Sequence, residues 1–129
     1  MPPKSAFIPR SLLIDEGEFG QDPDALWRLA TDIDEAIMLC RAREQHEYAC
    51  VILTSLRPGD YSIADLADQL GQDRKWLWRK LAGKVPATEN DLIRWAWLTG
   101  VARRTYPLDA LTAFEVPGPR YPLVRRRTR

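Results

Sequence analysis

The stretch from Ser62 to Lys84, SIADLADQLGQDRKWLWRKLAGK, constrains the fold more than any other part of the chain. Ser62 with Asp65 three residues later is a capping-box start, and IADLADQL then carries apolar residues at helical spacing up to a terminating Gly71. Asp73 can cap a second short helix, which runs to Ala82 and ends at Gly83. Only GQD separates the two. The chain has no room there for an antiparallel return, so the helices must cross steeply. Ala67 supplies the small residue where they touch, and Gly71 sits at the corner, where a positive φ is convenient. Leu66, Leu70 and Leu77 face the rest of a bundle.

The second helix is unusual in what it exposes. After Asp73, RKWLWRKLAGK holds five cations, two tryptophans and no acid. Net charge over the chain is +1, but it is unevenly spread. Residues 1–60 hold 6 Lys or Arg against 11 Asp or Glu, and residues 61–129 hold 13 against 7. A basic half on a near-neutral protein suits a surface that meets a polyanion, with chance segregation of surface charge as the plain alternative.

Around this pair the pattern is helical throughout. Residues 1–21 are Pro-punctuated and read as an N-terminal arm. Asp22 and Pro23 offer a helix start, and Leu26, Leu29, Ala30, Ile33, Ile37 and Cys40 form an apolar stripe. RAREQHE at 41–47 is polar all round, and the stripe resumes at Tyr48, Val51, Ile52, Ser55 and Leu56. Residues 24–57 thus form one long helix or two. Thr88 with Asp91 starts a further helix ending at Gly100. Its inward side is either Leu92, Ala96 and Thr99, or Ile93, Trp97 and Gly100. YPLDALTAF can hold one helical turn and LTAFEV a short strand. The expected architecture is all-α: a small helical bundle with a helix-turn-helix at 46–101, an extra N-terminal helix at 22–45, and an extension at 102–129 ending in a flexible basic tail.

The segment SIADLADQLGQDRKWLWRKLAGKVPATENDLIRWAWLTGV resembles the DNA-binding domain of the lambda-repressor-like (Cro/repressor, XRE) helix-turn-helix proteins. The resemblance rests on Leu66-Ala67, Leu70-Gly71, Leu77, the closing RKLAGK and the capped helix from Thr88, and it covers about residues 46–101. Gln72 and Lys80 depart from the family pattern, which favours apolar residues there; Leu81 is the alternative anchor to Lys80. The resemblance implies that the second helix enters the major groove with its leading end at base edges. On the helical wheel Arg74, Lys75, Trp78 and Arg79 point outward. With Lys84 and Gln72 they form the candidate duplex-contacting set. Arginine suits bidentate contact with guanine, Lys75 and Arg79 can read bases or anchor phosphates, and Trp78 suits a thymine methyl or deoxyribose. Lys84 and the amides near the start of the helix pair would hold phosphates. Trp76 is expected to lean on the neighbouring helix, and Asp73 to act as a cap. The RRRTR end is a plain basic terminus or a groove-reaching arm.

The implied function is a sequence-specific double-stranded DNA-binding transcriptional regulator of bacterial or phage type. It would act as a homodimer that blocks or recruits RNA polymerase, with the stripe at 26–40 or LTAFEV as the dimer contact. The alternatives are a protein-interaction adaptor working through the acidic N-terminal half, or a non-specific architectural DNA binder. No Gly-rich phosphate loop, metal-ligand set or Ser/His/Asp grouping is visible, His46 is the lone histidine, and Cys40 and Cys50 have neither zinc nor disulfide-framework spacing. An enzyme and a cofactor are therefore not expected. With no secretory signal and no run long enough to span a bilayer, the expected location is cytoplasmic, at the nucleoid.

Overall fold

The computed structural model describes residues 7–56, 59 and 61–114 of the chain. Four α-helices carry the fold: α1 (Ile33–Leu56), α2 (Ile63–Leu70), α3 (Arg74–Leu81) and α4 (Glu89–Thr99). Three 3-10 turns, Pro9–Leu12, Glu16–Glu18 and Leu108–Ala110, lie in the connecting segments. Among the described residues there is no strand, and no helix is long and apolar enough to cross a membrane.

The local signals between 61 and 100 act as read. Both capping boxes form, Ser62 with Asp65 and Thr88 with Asp91, each satisfying amides that a helix start leaves unpaired. The Asp73 carboxylate accepts the Trp76 amide at 3.0 Å. Gly71 ends α2 in the left-handed region at φ 67°. On α4 the inward side is Leu92, Trp95, Ala96 and Thr99, whereas Ile93 and Trp97 face out.

The N-terminal third departs from the expectation. Residues 24–57 hold one long helix, and it starts at Ile33 rather than after Asp22. The residues before it are drawn into extended pairings on two sides. Ile14 donates its amide to the Leu26 carbonyl at 3.0 Å and Arg28 donates to Leu12 at 2.9 Å. Ala30 exchanges hydrogen bonds with the C-terminal segment, donating to Leu111 at 3.0 Å and accepting from Ala113 at 2.7 Å. Those pairings use backbone groups that a helix over 24–32 would need for itself. The true start is capped by Asp32, whose carboxylate accepts the Glu35 amide at 2.8 Å.

The expected stripe is correspondingly wrong: Leu26, Leu29, Ile33 and Ile37 are exposed, and Ala30 alone of the six is buried. The inward face of α1 instead runs through Ala36, Leu39, Ala42, Ala49 and Ile52. The Pro9–Leu12 turn packs on this helix. Nor is 41–47 polar all round in its surroundings, because Ala42, Glu44, Gln45 and His46 are all buried. Of the stripe that follows, Tyr48 and Ile52 point inward while Val51 and Ser55 are exposed.

The first residues are not an arm from Pro9 onward. Leu13 and Phe19 belong to the main core with Leu66, Leu77, Leu81 and Trp95. Phe19 lies so close over Gly83 that a β-carbon there would meet its ring at 2.6 Å. Gly20, at φ 74°, would place one 2.7 Å from the Leu81 carbonyl. Residues 9–20 therefore close over the C-terminal end of α3. Residues 1–6, and the basic tail with its RRRTR, lie outside the described residues.

The extension beyond 101 is equally integrated. Arg103 bridges Glu44 on α1 and Glu89 on α4, and Arg104 pairs with Glu47 at 2.9 Å. Leu111 is buried beside Ala30, Ala36 and Leu39. In place of a strand over LTAFEV there is a single bridge between Thr112 and Ala30, with residues 115–116 outside the described part.

His46 pins the N-terminal segment to α1. Its Nδ1 accepts the Gly20 amide at 2.9 Å, and its Nε2 lies 3.0 Å from the Asp22 carbonyl, to which it donates in the neutral ring. Phe19 and Trp27 meet the imidazole edge to face. Burial holds its pKa below the ordinary histidine value, with the Asp22 carbonyl opposing. The unfolded chain therefore binds a proton that the folded chain refuses. This contribution to stability is complete above about pH 6.5 and is lost as pH falls from there through the lower folded value. Thermal unfolding from pH 7.5 to 5 should show a falling Tm that His46→Gln flattens; equal pH dependence in both proteins would contradict the neutral pin.

Candidate nucleic-acid interface

The helix pair α2 and α3 is joined by three residues, and the junction is fixed on each side. The Gln72 amide donates to the Ala67 carbonyl at 2.9 Å, closing the end of α2. Arg94 on α4 adds a guanidinium bond to the Leu70 carbonyl at 2.9 Å, placing a cation at the negative end of α2. Leu66, Ala67, Leu70 and Leu77 are buried at the shared contact.

Behind α3 lies a polar cluster that the sequence did not announce. Lys80 is buried, and its Nζ meets Asp91 Oδ2 at 2.6 Å with both side chains almost wholly removed from solvent. The same carboxylate accepts the Thr88 amide at 2.8 Å and the Gln72 side-chain amide at 2.7 Å. Burial pushes the Asp91 pKa up, but the bonds from Lys80, Thr88 and Gln72 outweigh it and hold the group below its ordinary value. Lys80 thus occupies an inward position on α3 with its charge retained, and its anion comes from the capping box of α4. Leu81 is buried alongside it.

A second support comes from Gln45 on α1. Its amide donates to the Lys80 carbonyl at 2.7 Å and to the Val85 carbonyl at 3.0 Å, while its oxygen accepts the Ala87 amide at 2.8 Å. A fully satisfied buried amide of this kind fixes the end of α3 and the loop after it against α1. Neither Gln45 nor the Lys80–Asp91 pair stood out as functional in the sequence. The only available signal for the pair was Lys80 itself, a cation at an inward helical position.

The other side of α3 is open. Arg74, Lys75, Trp78, Arg79 and Lys84 are all exposed, and none of the four cations pairs with an acid among the described residues. Elsewhere Arg10, Arg103 and Arg104 are held in ion pairs, and Arg41 and Arg43 lie over aromatic rings, as Arg79 does over Trp76. Trp78 is 44% exposed. Trp76 is not withdrawn against a neighbouring helix as expected; it is 45% exposed, with Arg79 and Lys80 over its ring at 5.8 and 5.9 Å.

Two members of the expected contact machinery are already occupied. The Gln72 side chain turns back to Asp91 rather than outward. At the start of α2 the Asp65 carboxylate accepts the Ser62 amide at 3.0 Å, so that helix start carries an acid of its own where a phosphate was expected. The outward set that remains together is Arg74, Lys75, Trp78, Arg79 and Lys84. Among the described residues no group of three or more His, Cys, Asp or Glu is placed to hold a metal ion. Comparison with known protein families, curated proteins and solved structures returns no significant match.

Proposed function

We propose that the chain binds double-stranded DNA through the outward side of α3, with α2 and α3 acting as a helix-turn-helix, and that it serves as a transcriptional regulator. The observation that carries this reading is a set of four exposed cations without acidic partners, Arg74, Lys75 and Arg79 beside Trp78 on α3 and Lys84 just beyond it, with the helix braced from behind by Lys80–Asp91 and Gln45. Unpaired guanidinium and ammonium groups are available to phosphates and base edges at no cost of breaking internal pairs, and a braced helix loses little freedom on docking. The C-terminal end of α3 is closed by Phe19 and Gly20, so the leading end, Arg74 and Lys75, is the part free to enter a groove.

A homodimer on a near-palindromic site completes the proposal, with Ile93 and Trp97 as its contact. Trp97 is 79% exposed one turn after Ile93 on α4, the helix tied to α3 through Asp91. Regulation would follow from occupancy, by blocking or recruiting RNA polymerase.

The test is a titration of the full chain with duplexes over a range of salt. With Arg74 and Arg79 on bases, Lys75 and Lys84 on phosphates should give a log–log slope of about −1.8 per protomer, from about −0.9 for each phosphate neutralised, and a slope of about −3.6 would put all four cations on phosphates. A preferred duplex should be favoured over a scrambled one by roughly 10³ or more at physiological salt. Equal binding to both would make the protein an architectural binder. No binding at moderate salt would leave the acidic half as the working surface of an adaptor.

A further inference from the structure

Opposite in character to α3 is a groove of about 360 Å³ formed by Ile14, Asp15, Glu18, Asp22, Asp24 and Leu26. Its shape follows from the pairing of residues 12–14 with 26–28. Leu13 bridges Trp27 and points into the core, so its neighbours are turned the other way. Ile14 and Leu26 are left 62% and 69% exposed, side by side across one backbone hydrogen bond. Around them Asp15 and Asp22 cap local turns by accepting the Gly17 and Asp24 amides. None of the four carboxylates has an ion pair among the described residues; the nearby Arg10 is engaged with Glu16. The crowding is felt by Glu18, whose pKa is raised by burial first and then by the charges of Asp15 and Asp22.

We propose that the chain's own C-terminal segment, residues 120–129, docks in this groove. The sequence RYPLVRRRTR carries five arginines against the four carboxylates, and Leu123 and Val124 as an apolar pair for Ile14 and Leu26. The chain also emerges in the right place. Ala113 is hydrogen-bonded to Ala30, four residues from Leu26, a separation of at most about 14 Å along an extended chain. The seven residues from Phe114 to Arg120 can span up to about 23 Å. Tethering makes the contact intramolecular, with an effective concentration on the order of millimolar, so a modest affinity suffices to keep it formed. Nothing in this docking depends on α3 meeting DNA.

Amide shifts of the isotopically labelled full-length chain test it in both directions. Arg125→Gln/Arg126→Gln/Arg127→Gln should move the amides around Ile14, Asp15, Glu18 and Leu26. Asp15→Lys/Asp24→Lys should move those of 120–129, with the signals of α1 to α4 unchanged in both variants. Molar salt should reproduce the effect in the natural sequence, because the contact is mostly charge and lies at the surface. Shifts independent of dilution are expected. Concentration-dependent shifts would overturn the proposal in favour of a second copy's tail, and no reciprocal change would overturn it outright.

Discussion

Arg74→Ala combined with Arg79→Ala is expected to weaken binding to a preferred duplex by about 2 to 6 kcal/mol, taking about 1 to 3 for each guanidinium that reads a base. The two residues are five apart, about 7.5 Å of helical rise, and share no acidic partner, so their effects should be close to additive. Each single substitution should also relax preference at one base pair, which titration against duplexes changed one position at a time would reveal. The folded state should be nearly unaffected, since both side chains are exposed and without acidic partners, Arg79 meeting only the exposed ring of Trp76. Weakening that is uniform over all sequences would reassign that Arg to phosphate.

The largest effect on the fold is expected at the pair behind α3. Lys80→Met keeps the length and the apolar stem but strands the Asp91 carboxylate in the core with only the Thr88 and Gln72 amides for company. Removing one partner of a buried pair costs about 3 to 5 kcal/mol. For a chain of this size that corresponds to a fall in Tm of roughly 10 °C or more. Asp91→Asn added to Lys80→Met removes the stranded charge and keeps an acceptor for the Thr88 amide, so the double variant should recover part of the loss. A Lys80→Met protein within about 0.5 kcal/mol of the parent would show the pair to be energetically idle, as many exposed pairs are.

What the sequence disclosed, it disclosed through local chemistry. Ser62 with Asp65, Asp73, and Thr88 with Asp91 each set a helix start within three residues, and Gly71 needs only its own φ to end α2. Such signals survive any tertiary context that does not break them. The start at Asp22 and Pro23 looked just as good locally, yet Leu13 and Ala113 recruit the following residues into pairings across the fold. Partners so distant in sequence leave no mark at Asp22. The real start was legible in principle, because Asp32 with Glu35 has capping-box spacing.

Except at Trp76, which was expected inward and is exposed, the outward side of α3 was readable from the helical wheel. Its bracing was not: Lys80 and Asp91 are eleven residues apart, and Gln45 is joined to the Lys80 and Val85 carbonyls and the Ala87 amide. A periodicity cannot distinguish a buried glutamine that is fully bonded from an exposed one. Asp91 also has two duties, capping α4 and neutralising Lys80, and sequence pattern shows only the first.

The most direct test of whether α3 reads a duplex is selection from a pool of random double-stranded DNA with the full-length chain, repeated with the Arg74→Ala/Arg79→Ala variant. The natural sequence should enrich one short consensus, repeated in inverted orientation about one helical turn apart, that the variant fails to enrich. Enrichment of the same consensus by both proteins would place recognition elsewhere on the molecule, and no consensus from either would remove sequence reading from its function.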